Sequence, residues 1–370
     1  MNKQFTRYLY LYEEVELSLV LSLLNKQNLD KVLFWCYELY YSTPNNDIFP
    51  FLIKIYFDFY ALKNPKFYDY ITKNYNKWKK NSDGFIVGNI CKNLFGFKFN
   101  LNVFLIRQCH NTITKDDIIL YRGRKPQWVT KFDKQFHNLY MAINKREYKY
   151  ICYYLKALNI ESKDKFLAII DYFEKVEDAT IIHDHIMTKL DHYDDFEHYV
   201  FYSLVLLFDW DIELNNKKIY STLNNDEKEE IVSIQEDLIT PKYKTLQHKR
   251  LYKVAKGLGC FDLVRYQFDL KDKMYYHWLY YCSDNAFWKP LLDKYSYKKN
   301  HVKETIEFEN DDMLEEFHEN YGYLEPDEQD SETQNKAMGI IESQPWSKFT
   351  NCFSEYEDFI NFKDDFKFKY

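Results

Sequence analysis

The chain has 370 residues, a net charge of −7, and only eight glycines and eight prolines. That is too little glycine and proline for a loop-rich or β-sandwich protein and suits helices joined by short turns. Seven widely spaced cysteines without a C-x-x-C exclude a disulfide framework or zinc finger and point to reduced thiols in a cytosol-like compartment.

The chain opens with two apolar stretches in residues 13–41. Leu17, Val20, Leu21 and Leu24 share one helical face, and Leu19 and Leu23 cover another, so this helix is apolar nearly all round and central. Ser18 and Ser22 are small enough to admit a close neighbour. Asn28 sits where an N-cap oxygen is wanted before a second helix carrying Leu29, Val32, Leu33, Cys36, Tyr37 and Tyr40. Ser42-Thr43-Pro44 ends the pair. Helices follow at 47–62, from Pro65 to about residue 80, at 84–95 and at 101–109, with Asn64 and Asn100 as further caps. The three asparagines are spaced by 36 residues, near the period of helix-turn-helix repeats. The expected fold is all-α: stacked helical hairpins, solenoid-like or a multi-helix bundle, with residues 1–110 as the first block.

Residues 111–130 break the pattern and read as a loop or joint. A middle block, 131–240, has helices expected at 131–143, 146–158, 163–176, 182–208 and 226–238. Its longest apolar run, 199–208, is about half of what a bilayer crossing needs, so no membrane span is expected. Pro241 opens a third block, 241–300: a basic helix at 243–256, Gly257-Leu258-Gly259 as its C-cap, then helices at 261–268, 271–281 and 285–295. From Glu304 to Glu332 there are thirteen acids and no Lys or Arg, so a basic body carries an acidic segment, 301–345, expected to be flexible. A short terminal helix is expected within 346–370.

Residues 274–295 read Met-Tyr-Tyr-His-Trp-Leu-Tyr-Tyr-Cys-Ser-Asp-Asn-Ala-Phe-Trp-Lys-Pro-Leu-Leu-Asp-Lys-Tyr. With the opening hairpin and the Tyr/Asn/Lys bias, this stretch resembles uncharacterised proteins of nucleocytoplasmic large DNA viruses. The resemblance implies an intracellular viral protein, in the host cytoplasm, the viral factory or the virion. It supplies no active-site residues.

Two constellations carry candidate chemistry. Lys242, Lys244, Lys249, Arg250, Lys253, Lys256 and Arg265 face a single acid, Asp262. On a helix Lys249, Lys253 and Lys256 share one face, while Leu251, Val254, Ala255 and Leu258 supply the buried one. Such a face neutralises nucleic-acid phosphates, and Tyr243, Tyr252 and Tyr266 would stack on bases. Arg122, Arg124 and Lys125 with Trp128 form a smaller basic-aromatic loop. A third use of these faces is to dock the chain's own acidic segment.

The other constellation is His183-Asp184, within a run that also holds His185, His192 and His198. It matches the dyad of HD-type phosphohydrolases, which implies a metal held with His137 or His110 upstream and Asp262 or Asp209 downstream, activating water. On a helix His183 and His185 would point about 200° apart and not chelate one ion. No catalytic signature stands out, and no cofactor is expected. The leading expectation is therefore a non-enzymatic helical interaction protein with protein partners. Nucleic-acid association is the alternative, and a metal-dependent phosphohydrolase the second alternative.

Overall fold

The structure, a computed structural model, describes residues 4–26, 28–119, 125–176, 196–208, 219–236, 249–265, 270–321 and 329–353, with Phe366, Phe368 and Tyr370. The Asn28 carboxamide accepts from the backbone N–H groups of Asp30 and Lys31, 2.7 and 3.2 Å away. It thus satisfies two of the orphan donors that open a helix. The helix before this turn is α1 (Tyr12–Asn25) and the one after it α2 (Leu29–Ser42). α1 is buried on every side, as its leucines require. Ser18 and Ser22 do admit a close neighbour, and it is not a helix: the N–H of Ala255 donates to Ser18 Oγ at 3.0 Å.

Next come α3 (Phe49–Ile55), which runs into a π turn (Tyr56–Tyr60), then α4 (Phe67–Asn81), α5 (Phe85–Gly96) and α6 (Asn102–Thr112). The three asparagines of the expected 36-residue period do not share one setting. Asn28 caps α2. Asn64 is buried and donates to the carbonyls of Tyr60 and Lys98. Asn100 accepts from the N–H of Asn102 through its side chain while its backbone N–H donates to Phe59 O.

The middle helices are α7 (His137–Asn144), α8 (Tyr148–Ala157), α9 (Ser162–Val176), α10 (Phe196–Phe208) and α11 (Asn225–Glu236). A solenoid unit touches only its neighbours in sequence. Here α5 packs on both α1 and α2, α6 on α8 and α10, and α11 returns to α2. The architecture is a multi-helix bundle, and its buried cluster runs across the blocks expected from sequence.

The C-terminal part holds short helices α12 (Lys271–Tyr276), α13 (Trp278–Cys282) and α14 (Trp288–Leu292). The backbone at His277 leaves helical geometry, which splits the expected helix at 271–281. Then come an antiparallel hairpin, β1 (Tyr297–Asn300) and β2 (Thr305–Phe308), followed by α15 (Asp311–Tyr321), α16 (Ser331–Met338) and α17 (Ser347–Thr350).

Helices α15 and α16 therefore lie within the acidic segment where it is described. Its exposed acids leave Phe317, Thr333, Ala337 and Ile341 to be buried. Asp330 caps α16 by accepting from Thr333 N at 2.7 Å.

Among the described residues four arginines are buried. Arg7 pairs with Glu38 (3.0 Å), Arg107 with Asp58 of the π turn, and Arg265 with Glu14 (3.0 Å). Arg250 donates to the carbonyls of Tyr8, Thr333 and Leu9 at 2.9, 3.2 and 3.4 Å.

Beside the Arg107–Asp58 pair, burial raises the Glu16 carboxyl to about 7; Lys54 pulls it back and Glu13 adds to the rise. Its ordinary value is 4.5. A carboxyl raised in the folded state contributes stability below its unfolded value, and that contribution is lost as pH rises through the folded one. Urea midpoints should therefore fall between about pH 4.5 and 7. Glu16→Gln should flatten that slope and exceed the wild type at pH 8. Parallel curves for the two proteins would refute this.

Candidate functional site

Residues 250–255, expected as the end of a basic helix, are not helical, although Lys249 still is. Tertiary contacts override the local preference. Arg250 turns inward to three carbonyls, Tyr10 Oη donates to Tyr252 O at 2.6 Å, and Ala255 N is taken by Ser18. Val254 and Leu258 are buried and Lys253 and Lys256 exposed as expected, but two residues depart. Arg250 is buried and cannot reach a phosphate, whereas Leu251, expected inside, is 47% exposed. Lys249 is half-buried, with its ammonium pKa lowered by burial and by the Arg7 charge.

Lys253 and Lys256 are among the residues lining a cleft of about 580 Å³, with the Lys253 ammonium lying beside Gly339 at its edge. One wall is the α1–α2 turn, with Asn25, Asn28 and Lys31. The other is formed by Gln344, Lys348, Phe349 and Phe353. Between them Lys256–Phe261 forms a 3-10 turn, which replaces the helix C-cap expected of Gly257 and Gly259. Gly259 allows this contact: a Cβ there would lie 1.9 Å from Glu342 O. Two bonds fix the second wall, Gln344 N to Gly259 O at 3.2 Å and Gln344 Nε2 to Lys256 O at 3.1 Å.

Four lysines line the cleft, Lys31, Lys253, Lys256 and Lys348, and no Asp or Glu does. Among the described residues none of the four is within ion-pairing distance of a carboxylate. Burial lowers the Lys31 pKa, and the charge of Lys256 lowers it further. Uncompensated like charges held together by the fold raise the energy of the empty site and favour an anion. The neighbouring Lys26 is not part of this set, because its ammonium donates to Phe97 O.

Of the other expected site residues, Lys242, Lys244, Arg122, Arg124, His183, Asp184 and Asp209 lie outside the described residues. Lys125 is exposed. Arg265 is buried on Glu14. His137 is a buried residue of α7 whose Nε2 lies 2.9 Å from Phe132 O. His110 sits 5.0 Å from the Phe201 ring. Asp262 is exposed in a left-handed conformation (φ 61°) that closes the 3-10 turn, on a separate small cavity with Glu13, Glu14 and Arg265. His137 and Asp262 therefore do not form a ligand pair, and no group of three or more His, Cys, Asp or Glu able to hold a metal occurs among the described residues.

Sequence reasoning missed Lys31 and Lys348. They are isolated along the chain and become site residues only when residues 253–257 cross the α1–α2 turn. No known protein family, curated protein or solved structure matches this chain.

Removing one charge tests the coupling within the cleft. In Lys256→Met the Lys31 ammonium, followed by 13Cε NMR, should titrate at higher pH than in the wild type. An unchanged or lowered value would show that Lys256 does not act on it.

Proposed function

We propose that this is a non-enzymatic binding protein whose lysine cleft takes the phosphate groups of an anionic ligand. The observation that carries this reading is the convergence of Lys31, Lys253, Lys256 and Lys348 in one cavity with no carboxylate among its lining residues. The cavity lies within the size range of small-ligand sites. Two of these lysines belong to the set expected from sequence to neutralise nucleic-acid phosphates, while Arg250 and Arg265 serve the core.

Tripolyphosphate is a suitable probe. Calorimetry at low salt should show binding that weakens as salt is raised, because the contacts are partly exposed and screened. Lys253→Glu with Lys256→Glu should abolish it while leaving the near-ultraviolet circular dichroism unchanged. No binding by the wild type at low ionic strength would end this reading.

The protein-partner reading has its own observation. A cavity of about 330 Å³ lies among α12, α13, β2 and α15, lined by Met274, Tyr275, Trp278, Phe308 and His318. Tyr276 on its rim is 73% exposed, and α15 presents Asp311, Asp312, Glu315, Glu316 and Glu319 to solvent. An apolar anchor flanked by Lys or Arg fits such a surface. Peptide display against the wild type, counter-selected on Tyr276→Ser, should enrich sequences of that kind. Enrichment without basic flanks, or none, would count against it.

A further inference from the structure

We infer that the ligand of the lysine cleft is a nucleoside polyphosphate, a single nucleotide and not a nucleic-acid strand. This rests on the phosphate-binding reading and specifies what the phosphates are attached to.

The first argument is shape and charge. A strand-binding surface needs a cationic track that continues past the site, because each further nucleotide adds a phosphate. Here the positive charge is confined. Asp30 and Glu230 act on Tyr252, just before Lys253, where their charges help to raise its phenol pKa after the larger effect of burial. On the other side Glu342 is exposed two residues before Gln344. Carboxylates thus stand beside both chain segments that border the cleft, which disfavours a long anionic backbone more than a ligand whose phosphates all lie among the lysines.

The second argument is the opposite wall. Phe349 and Phe353 line the cleft along with Lys348. Phe353 is half-buried and held edge-on by Phe349 and Phe99, at ring distances of 5.2 and 5.3 Å. A ring fixed by two perpendicular neighbours is a rigid apolar surface at the side of a cationic pocket. Inorganic polyphosphates and inositol phosphates bring no group for it. A nucleotide brings a flat base for the ring and phosphates for the lysines, with the Asn25 carboxamide lining the same space.

The experiment is calorimetry on the full chain at fixed low salt with ATP, GTP, tripolyphosphate, inositol hexaphosphate and a twelve-nucleotide single strand. The expected result is nucleoside triphosphate binding at least about tenfold tighter than tripolyphosphate. Phe353→Ala should erase that difference without weakening tripolyphosphate, and Phe353→Tyr should retain it. Equal affinity for ATP, GTP and tripolyphosphate, or an unchanged ratio in Phe353→Ala, overturns the nucleotide assignment and leaves phosphate binding standing. Tighter binding of the oligonucleotide than of ATP assigns a strand and also overturns it. Binding of none of the five overturns both readings.

Discussion

The fold depends on pairing the arginines that are buried among the described residues, Arg7, Arg107, Arg250 and Arg265. A guanidinium cannot shed its proton, so once it leaves water its charge has to be met by carboxylates or carbonyls. Arg7 finds Glu38, Arg107 finds Asp58, and Arg265 finds Glu14 together with the carbonyls of Gly339 and Ala337. Arg250 donates to the carbonyls of Tyr8, Leu9 and Thr333. Removing one partner of such a buried pair costs about 3–5 kcal/mol, so these contacts fix position more strictly than greasy packing does. Glu14 and Arg265 are 251 residues apart in sequence. They and Arg250 join the opening turn, the segment around 250–265 and α16 into one unit.

The same constraint explains a local oddity. Residues 6–10 form a tight turn in which Thr6 N donates to Tyr10 O, and Leu9 adopts φ 59°. A left-handed leucine is unfavourable by roughly 1–2 kcal/mol. Its neighbourhood offsets this, because the turn presents two successive carbonyls, of Tyr8 and Leu9, to the one guanidinium. With Arg250 held there, residues 251–255 cross α1 in non-helical form and reach Ser18. Lys253 and Lys256 are thereby delivered to the α1–α2 turn. A lysine at 250 would lack the planar fork that serves three separate carbonyls.

This is where sequence reading succeeds and where it stops. Helix spacing, the Asn28 cap and the central character of α1 were legible, because each depends on neighbours within a few residues. The basic run at 242–265 was not, because composition counts Arg250, Arg265, Lys253 and Lys256 as one kind of charge. Burial separates them: the two arginines serve the core and the two lysines serve the surface. The acidic segment is the mirror-image case. Its charge density suggested a solvated coil, yet Met313, Leu314, Phe317 and Tyr321 supply a helical face that packs Phe317 against Tyr295 and Phe308. The even spacing of Asn28, Asn64 and Asn100 does not tell their settings apart: Asn28 and Asn100 accept from backbone N–H groups two residues on, while Asn64 donates to two carbonyls. Only contact information separates a cap from a buried amide.

The cleft's charge follows from how the core spends its acids. Glu14 and Glu38, on α1 and α2, are committed to arginines inside the bundle. The turn joining these helices carries Asn25, Lys26 and Asn28, with amides where carboxylates would also have served. Capping α2 with Asn28 satisfies its orphan N–H groups as an aspartate would, but adds no negative charge to a helix start that is already positive. Asp30 is the acid of that first turn, and its charge acts on Tyr252. Lys31 and Lys256 are thus left to repel each other across a partly desolvated gap. A fold selected for stability alone would relieve this with one Asn-to-Asp change at the turn. Four lysines with no carboxylate among the residues that line their cleft leave a positive charge that an anionic ligand would balance.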